Sequence, residues 1–268
     1  MTTDATRADT HPAGTVDPEL EQLRRTVEEL ATRDVDWPPY MPGLVKVAVC
    51  ASTTTLYLPG LRAAIREALA AGATREHVVE AIAQSSVLGI HAAYSGLPIL
   101  RSELASAGLS EAEADPDLDA RRTEIRTAFG AARGGWNETL DDILALDPEL
   151  LAAYGTFSSV PWRSGRIPAR FKELIYLAID VQSTHLYEPG IRLHLGRAFT
   201  AGATREQVIA VIRIVTLIGF HAAEVGLPLL AEEVDRALIA ARPDCTRPPL
   251  DASGPSPRRA AGPRASTS

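Results

Sequence analysis

Aromatic residues are scarce in this chain, at 5% of 268 positions, and it holds only two cysteines and two methionines. The cysteines, Cys50 and Cys245, stand far apart, and Cys245 falls in a Pro-rich stretch. That excludes a disulfide framework and a cysteine-built metal centre. Cys50 has no second cysteine at redox spacing and reads as a small buried hydrophobe. An excess of positive charge is missing too: 27 Lys and Arg face 34 Asp and Glu, for a net charge of −7. A general nucleic-acid binder needs a basic face, so that class is excluded. No uninterrupted apolar run approaches the roughly 20 residues of a membrane span. The longest candidate, 208–220, is interrupted by Arg213 and followed by His221. The opening segment, MTTDATRADTHPAGTV, lacks the apolar stretch of a secretory signal. A cytoplasmic protein with neither a membrane nor a nucleic-acid partner is expected.

What is present is material for helices. Hydrophobic residues make up 46% and charged residues 23%, a globular balance. Ala, Leu, Glu and Arg dominate the middle of the chain, and all four are good helix formers. No segment alternates with a period of two, so the expected fold class is all-α. Residues 1–16 and 241–268 are polar or rich in Pro, Ser and Arg. They bury too little to order themselves, so both are expected to be disordered. Arg258 and Arg259 in the tail offer charge to an acidic partner, but a solvated tail is the favoured reading.

The most informative feature is an internal repeat. LYLPGLRAAIREALAAGATREHVVEAIAQSSVLGIHAAYSGLPIL, residues 56–100, aligns without a gap on LYEPGIRLHLGRAFTAGATREQVIAVIRIVTLIGFHAAEVGLPLL, residues 186–230. The offset is about 130 residues and about half the positions are identical. A tandem duplication is expected, with one helical domain over 17–115 and a second over 116–240. Punctuation divides the second copy into helices. Residues 168–183 form one helix, with Leu174, Ile175, Leu177, Ala178 and Val181 as its apolar stripe. Pro189 starts the next, which Gly202 ends. Thr204 caps another, with Glu206 in its first turn. Gly219 and Gly226 are expected to break or kink the following stretch before a last helix over 227–240. Gly60, Gly72, Thr74, Gly89 and Gly96 repeat this plan in copy one. Asp17-Pro18 opens a lead-in helix. Helical patterns run over 118–129, 137–146 and 147–157, and 158–167 reads as a loop.

KELIYLAID (172–180) followed by EPGIRLHLGRAFTAGATREQVIAVI (188–212) resembles the carboxymuconolactone decarboxylase family, which also holds proteins of the alkylhydroperoxidase D type. WRSGRIPARFKEL (162–174) is similar to that family's loop-to-helix entry. The resemblance implies an all-α domain around a helical hairpin, and assembly as trimers or hexamers of single domains. For a fused pair it implies a trimer of double domains. The family's redox branch carries a CxxC dithiol at the turn. Here the turn reads His185-Leu186-Tyr187-Glu188. Disulfide chemistry lacks its nucleophile there. The decarboxylase branch has no dithiol, and Glu173 and His194 match its glutamate and histidine.

The candidate site therefore lies in copy two. Glu173, His185, Glu188 and His194 are the catalytic candidates. Arg192, Tyr187, Trp162 and His221 are the substrate-binding candidates. Decarboxylation or isomerisation of a small lactone acid needs a cation to hold a carboxylate, a role Arg192 suits. It also needs an acid or base to move a proton at carbon, a role for His194 or His185. Glu173 or Glu188 then orients an imidazole or serves as the base. Tyr187 and Trp162 line the pocket. Copy one has Gly43, Thr55, Leu58 and Ala64 at the positions of Glu173, His185, Glu188 and His194. It retains Arg62, Tyr57 and His91 opposite Arg192, Tyr187 and His221. Residues shared by both copies serve the common fold more readily than a site, and His221 reads first as a hydrogen-bonded structural histidine.

The leading expectation is a cofactor-independent lyase or isomerase acting on a small carboxylated or lactone-like metabolite. A non-catalytic helical oligomer or small-ligand-binding protein is the alternative. A thiol peroxidase through Cys50 is a remote third. His185-x-x-Glu188 with His194 also has the residue types of a metal site. Pro189-Gly190 interrupts the face that would join them, so no metal is assigned.

Overall fold

The computed structural model describes residues 18–109 and 116–240. The segments 1–16 and 241–268, expected to be disordered, lie outside the described residues. No strand occurs among the described residues. The helices are α1 (Pro18–Thr32), α2 (Met41–Ala51), α3 (Leu58–Ala70), α4 (Arg75–Ser86), α5 (His91–Ser106) and α6 (Pro116–Arg133). They continue as α7 (Asp141–Leu146), α8 (Pro148–Ser158), α9 (Val160–Ser164), α10 (Ala169–Asp180), α11 (Glu188–Thr200), α12 (Arg205–Thr216) and α13 (His221–Ala240). Among the described residues, 18–109 and 116–226 belong to one compact unit, and 227–240 belong to a second. In that second unit Arg236 pairs with Glu233 and Glu232 within its own helix.

Local rules in the sequence set the helix boundaries. Thr204 accepts a hydrogen bond from the Gln207 amide at 3.2 Å, and the Gln207 side chain accepts one from the Thr204 amide at 3.1 Å. This reciprocal capping box starts α12. Thr74 and His77 make the same arrangement at α4. Gly72 and Gly202 take φ of +95° and +87°, so α3 and α11 stop where the chain turns left-handed. Residues 158–167, expected to be a loop, contain α9. Pro161 suits its first turn, and Gly165 at φ +63° ends it. Gly219 lies in a 3₁₀ turn, Leu217–Phe220, but Gly226 is inside α13 and does not break it.

The two repeats share one core. α2 and α10 occupy equivalent places and pack on each other, and α4 and α12 close over the pair. The core cluster mixes Met41, Leu44, Val45 and Val47 with Phe171, Leu174, Ile175 and Leu177. Every residue from Phe171 to Asp180 is buried, so α10 has no solvent face. The expected stripe on α10 was too narrow, because copy one covers its other side. Within this core Lys172 pairs with Glu80 of α4 at 3.1 Å, with side chains 3% and 2% exposed. The Gln84 amide also donates to the Lys172 carbonyl at 2.9 Å. A smaller cluster of Ile125, Phe129, Ile143 and Leu151 holds α6, α7 and α8 together.

One helical stretch, Arg205–Ile239, is long and apolar enough to cross a membrane by length and hydropathy. The sequence reading had found none, because it counted only uninterrupted apolar runs. Within that stretch Val208, Ala210, Val211, Ile214 and Val215 of α12 are buried in the protein.

Candidate active site

The turn between α10 and α11 fixes one wall of a cavity. Leu186 takes φ +46°, an uncommon conformation for a leucine, and Leu56 repeats it in copy one at +38°. The His185 and Leu186 amides donate to the Gln182 carbonyl, both at 2.8 Å, and the Tyr187 amide donates to the Asp180 carbonyl at 3.0 Å. Gln182 is itself fully buried, and its side-chain oxygen accepts from the Thr55 hydroxyl of copy one at 2.6 Å. His185 and Tyr187 are thereby held on either side of a left-handed corner.

Beneath that corner, His194 of α11 hydrogen-bonds through Nδ1 to Glu173 Oε2 of α10 at 2.6 Å. Both side chains are buried, and the His194 ring stacks on Tyr176 at 4.8 Å. Burial lowers the His194 pKa, and the Glu173 carboxylate opposes that shift. His194 Nε2 lies 3.7 Å from Asp180 Oδ2. Asp180 is buried at the end of α10, and burial pushes its pKa up to about 8. Gly190 leaves the room this carboxyl needs: a Cβ there would sit 2.1 Å from Asp180 Oδ2.

Copy one supplies the opposite wall. His91, at the start of α5, places Nδ1 2.7 Å from His185 Nε2. Its ring stacks on Tyr187 at 4.2 Å, and Tyr94 lies beside it. Burial, then His185 and His194, lowers the His91 pKa to about 3. Arg133 and Arg197 complete the lining. Arg133 donates to the Ser158 carbonyl at 2.6 Å and lies over the Trp162 and Tyr176 rings. The cavity is small, about 60 Å³, which suits a carboxylate-sized group rather than a large metabolite.

The structure thus brings together Glu173, His185, His194 and Tyr187 of the residues the sequence nominated, and separates the others. Glu188 and Arg192 pair with each other along the exposed face of α11, with side chains 69% and 77% exposed. They stand one helical turn apart, and each satisfies the other in water rather than facing the cavity. Trp162 stacks on Tyr176 behind the site and lies 5.2 Å from the Lys172 ammonium. His221 lies in a different cavity, its ring tilted against that of Tyr57 at 4.1 Å. The sequence reading missed His91, Tyr94, Asp180, Arg133 and Arg197.

That other cavity, of about 220 Å³, is the repeat-equivalent of the first. Cys50 stands where Asp180 does, Ala64 for His194, Glu67 for Arg197, Lys46 for Tyr176, and Glu224 for Tyr94. Its charges are paired, Lys46 with Glu28 and Glu67, each at 2.9 Å. Glu224 accepts from the Tyr57 hydroxyl at 2.8 Å. Copy one has no room for a counterpart of Glu173. A Cβ on Gly43 would already meet the Ala68 backbone nitrogen at 2.7 Å, so α2 and α3 touch where α10 and α11 enclose a carboxylate.

A duplicated all-helical fold with one stripped cavity, and one carrying a carboxylate-held imidazole without a dithiol, defines a class. The family model for the carboxymuconolactone decarboxylase family matches residues 148–233. A solved structure from Burkholderia xenovorans LB400, named as a gamma-carboxymuconolactone decarboxylase subunit, is similar at 36% identity with a TM-score of 0.77. The likeness covers 82% of this chain and 88% of that one, a share that takes in both repeats. A search of curated proteins gave no match. The chain belongs to the carboxymuconolactone decarboxylase family.

Proposed function

We propose that this protein is a decarboxylase-like lyase or isomerase that moves a proton on a small carboxylated or lactone-like metabolite through His194. One observation carries the reading: the buried Glu173–His194 hydrogen bond, made by an imidazole that lines a cavity. With Nδ1–H donated to Glu173, Nε2 keeps its lone pair and is the proton acceptor. In an isomerisation it takes a proton from one carbon and returns it to another. In a decarboxylation Nε2 first takes the proton of the substrate's carboxylic acid, the C–C bond electrons stay on the substrate as CO₂ leaves, and the resulting carbanion takes that proton back from the imidazolium. Arg133 and Arg197 take the carboxylate-holding role that Arg192, at the surface, is not placed to fill. The chain's own imidazole and carboxylate suffice for these proton transfers, which supports the cofactor-independent form of the reading.

The solved relative's name supports the lactone-acid class. Assembly as a trimer and a cytoplasmic location are part of the same proposal, the first from the family resemblance and the second from the sequence reading above. The test is a panel of small lactone acids and unsaturated carboxylic acids, followed by CO₂ release and absorbance. Turnover by the wild type that is lost in His194→Ala supports the reading. Turnover unchanged in His194→Ala removes it. No turnover on any acid, with retention of a small molecule, favours the ligand-binding alternative.

A further inference from the structure

We infer that His91, His185 and Asp180 form a binding site for one divalent transition-metal ion of the zinc type. Three donor atoms from three separate elements converge there. His91 Nδ1 and His185 Nε2 are 2.7 Å apart, and each lies 3.9 Å from Asp180 Oδ1. All three lie within 4.8 Å of one another. Two imidazoles and one carboxylate suit zinc, cobalt or iron rather than magnesium or calcium, which prefer all-oxygen shells.

Two further observations point to a ligand at this place. The second Asp180 oxygen is buried without a hydrogen-bond partner, on a side chain only 3% exposed. A buried acceptor left unpaired is destabilising, and a bound cation would relieve it. His194 Nε2 comes only to 3.7 Å of that same oxygen, beyond hydrogen-bonding distance, and leaves it unsatisfied. The donors also sit on fixed backbone: the end of α10, the start of α5 and the left-handed corner at Leu186.

The set belongs to one cavity only. At the equivalent positions of the other cavity stand His221, Thr55 and Cys50, and Thr55 is engaged with Gln182. The sequence reading sought ligands in copy two alone and assigned no metal. The structure replaces Glu188 with Asp180 and brings His91 from the other repeat. This inference does not rest on the acid–base reading, since His91, His185 and Asp180 suffice without His194.

The test uses tag-free, full-length protein stripped with a chelator and dialysed against Zn²⁺ or Co²⁺ without substrate. One equivalent of metal per chain is expected, with the visible bands of a nitrogen-ligated cobalt site. His91→Ala and His185→Ala should each weaken binding at least tenfold, and His221→Ala should bind as the wild type does. Should the variants misfold, Zn²⁺-induced shifts of the His91 and His185 ring resonances in the wild type make the same test. No binding by the wild type, or equal loss in His221→Ala and His91→Ala, overturns the inference. Turnover by the stripped protein, measured separately, bears on His194 alone.

Discussion

Glu173 Oε2 lies 2.6 Å from His194 Nδ1 in the interior of the second repeat, where neither group reaches bulk water. The carboxylate fixes both the tautomer and the ring orientation of the imidazole. Glu173→Gln keeps the shape but replaces the acceptor with an amide of either orientation. Turnover is expected to fall about 10–100-fold, with KM changed much less. Steady-state kinetics of the folded variant checks this; an unchanged kcat would show that Glu173 does not position the ring.

The two arginines of α11 should behave differently. Arg197 lines the cavity, whereas Arg192 is occupied by Glu188 at the surface. Arg197→Ala is expected to raise KM about tenfold or more, the loss of a charge-assisted contact to a carboxylate. Arg192→Ala should leave both constants within about twofold, as exposed pairs contribute little. Equal effects would place the substrate along the outer face of α11 instead.

Much of this was legible in the chain itself. The all-helical class followed from composition and the absence of two-residue alternation, and the repeat followed from matched spacings. Glu173 and His194 stood out because copy one has Gly43 and Ala64 there. His91 and Asp180 did not. His91 is shared with His221, and a residue common to both copies reads as structural. No periodicity reveals that α5 of one repeat walls the cavity of the other. The signal lay in further differences between copies, Cys50 against Asp180 and Glu224 against Tyr94, which gain meaning only once the repeats are known to share a core. Glu188 and Arg192 misled because nearness in sequence stood in for convergence. On a helix, a spacing of four makes two residues each other's partners.

The buried Lys172–Glu80 pair ties α10 to α4 across the repeats. Removing Lys172 takes away the ammonium opposite Glu80, which keeps the Ile167 amide as a donor at 3.3 Å, and breaking such a buried pair costs about 3–5 kcal/mol. Lys172→Met is therefore expected to lower Tm by about 6–20 °C. Lys172→Met with Glu80→Leu should recover much of that loss. Thermal unfolding of the single and double variants makes the comparison, and additive losses would rule out a coupled pair.

Cys50 gives a pH-dependent readout remote from the proposed site. Burial, and then Glu224, pushes its thiol up to about 11 from 9.0. The thiolate is the reactive form, so alkylation of the native protein at pH 8 should run about 100-fold slower than that of an ordinary thiol. The folded pKa lies above the unfolded one. The contribution to stability is therefore fully present below pH 9 and is lost as pH rises from 9 to 11. Mass spectrometry of the Cys50 peptide after timed alkylation, in native and denaturing buffer, measures the protection. Rapid native labelling at pH 8 would contradict the buried placement.

The most direct measurement is isotopic. With an active lactone acid from the substrate panel, turnover is run in D₂O and the product is examined by mass spectrometry and NMR. If the acid is decarboxylated, transfer through His194 requires that the wild type place solvent-derived deuterium at the carbon that loses CO₂, and that His194→Ala lose the labelled product; an isomerisation, in which the imidazole carries the substrate's own proton, is judged by the loss of product in His194→Ala. Undiminished product formation by folded His194→Ala, with the same deuterium at the same carbon, would contradict the assignment of that imidazole.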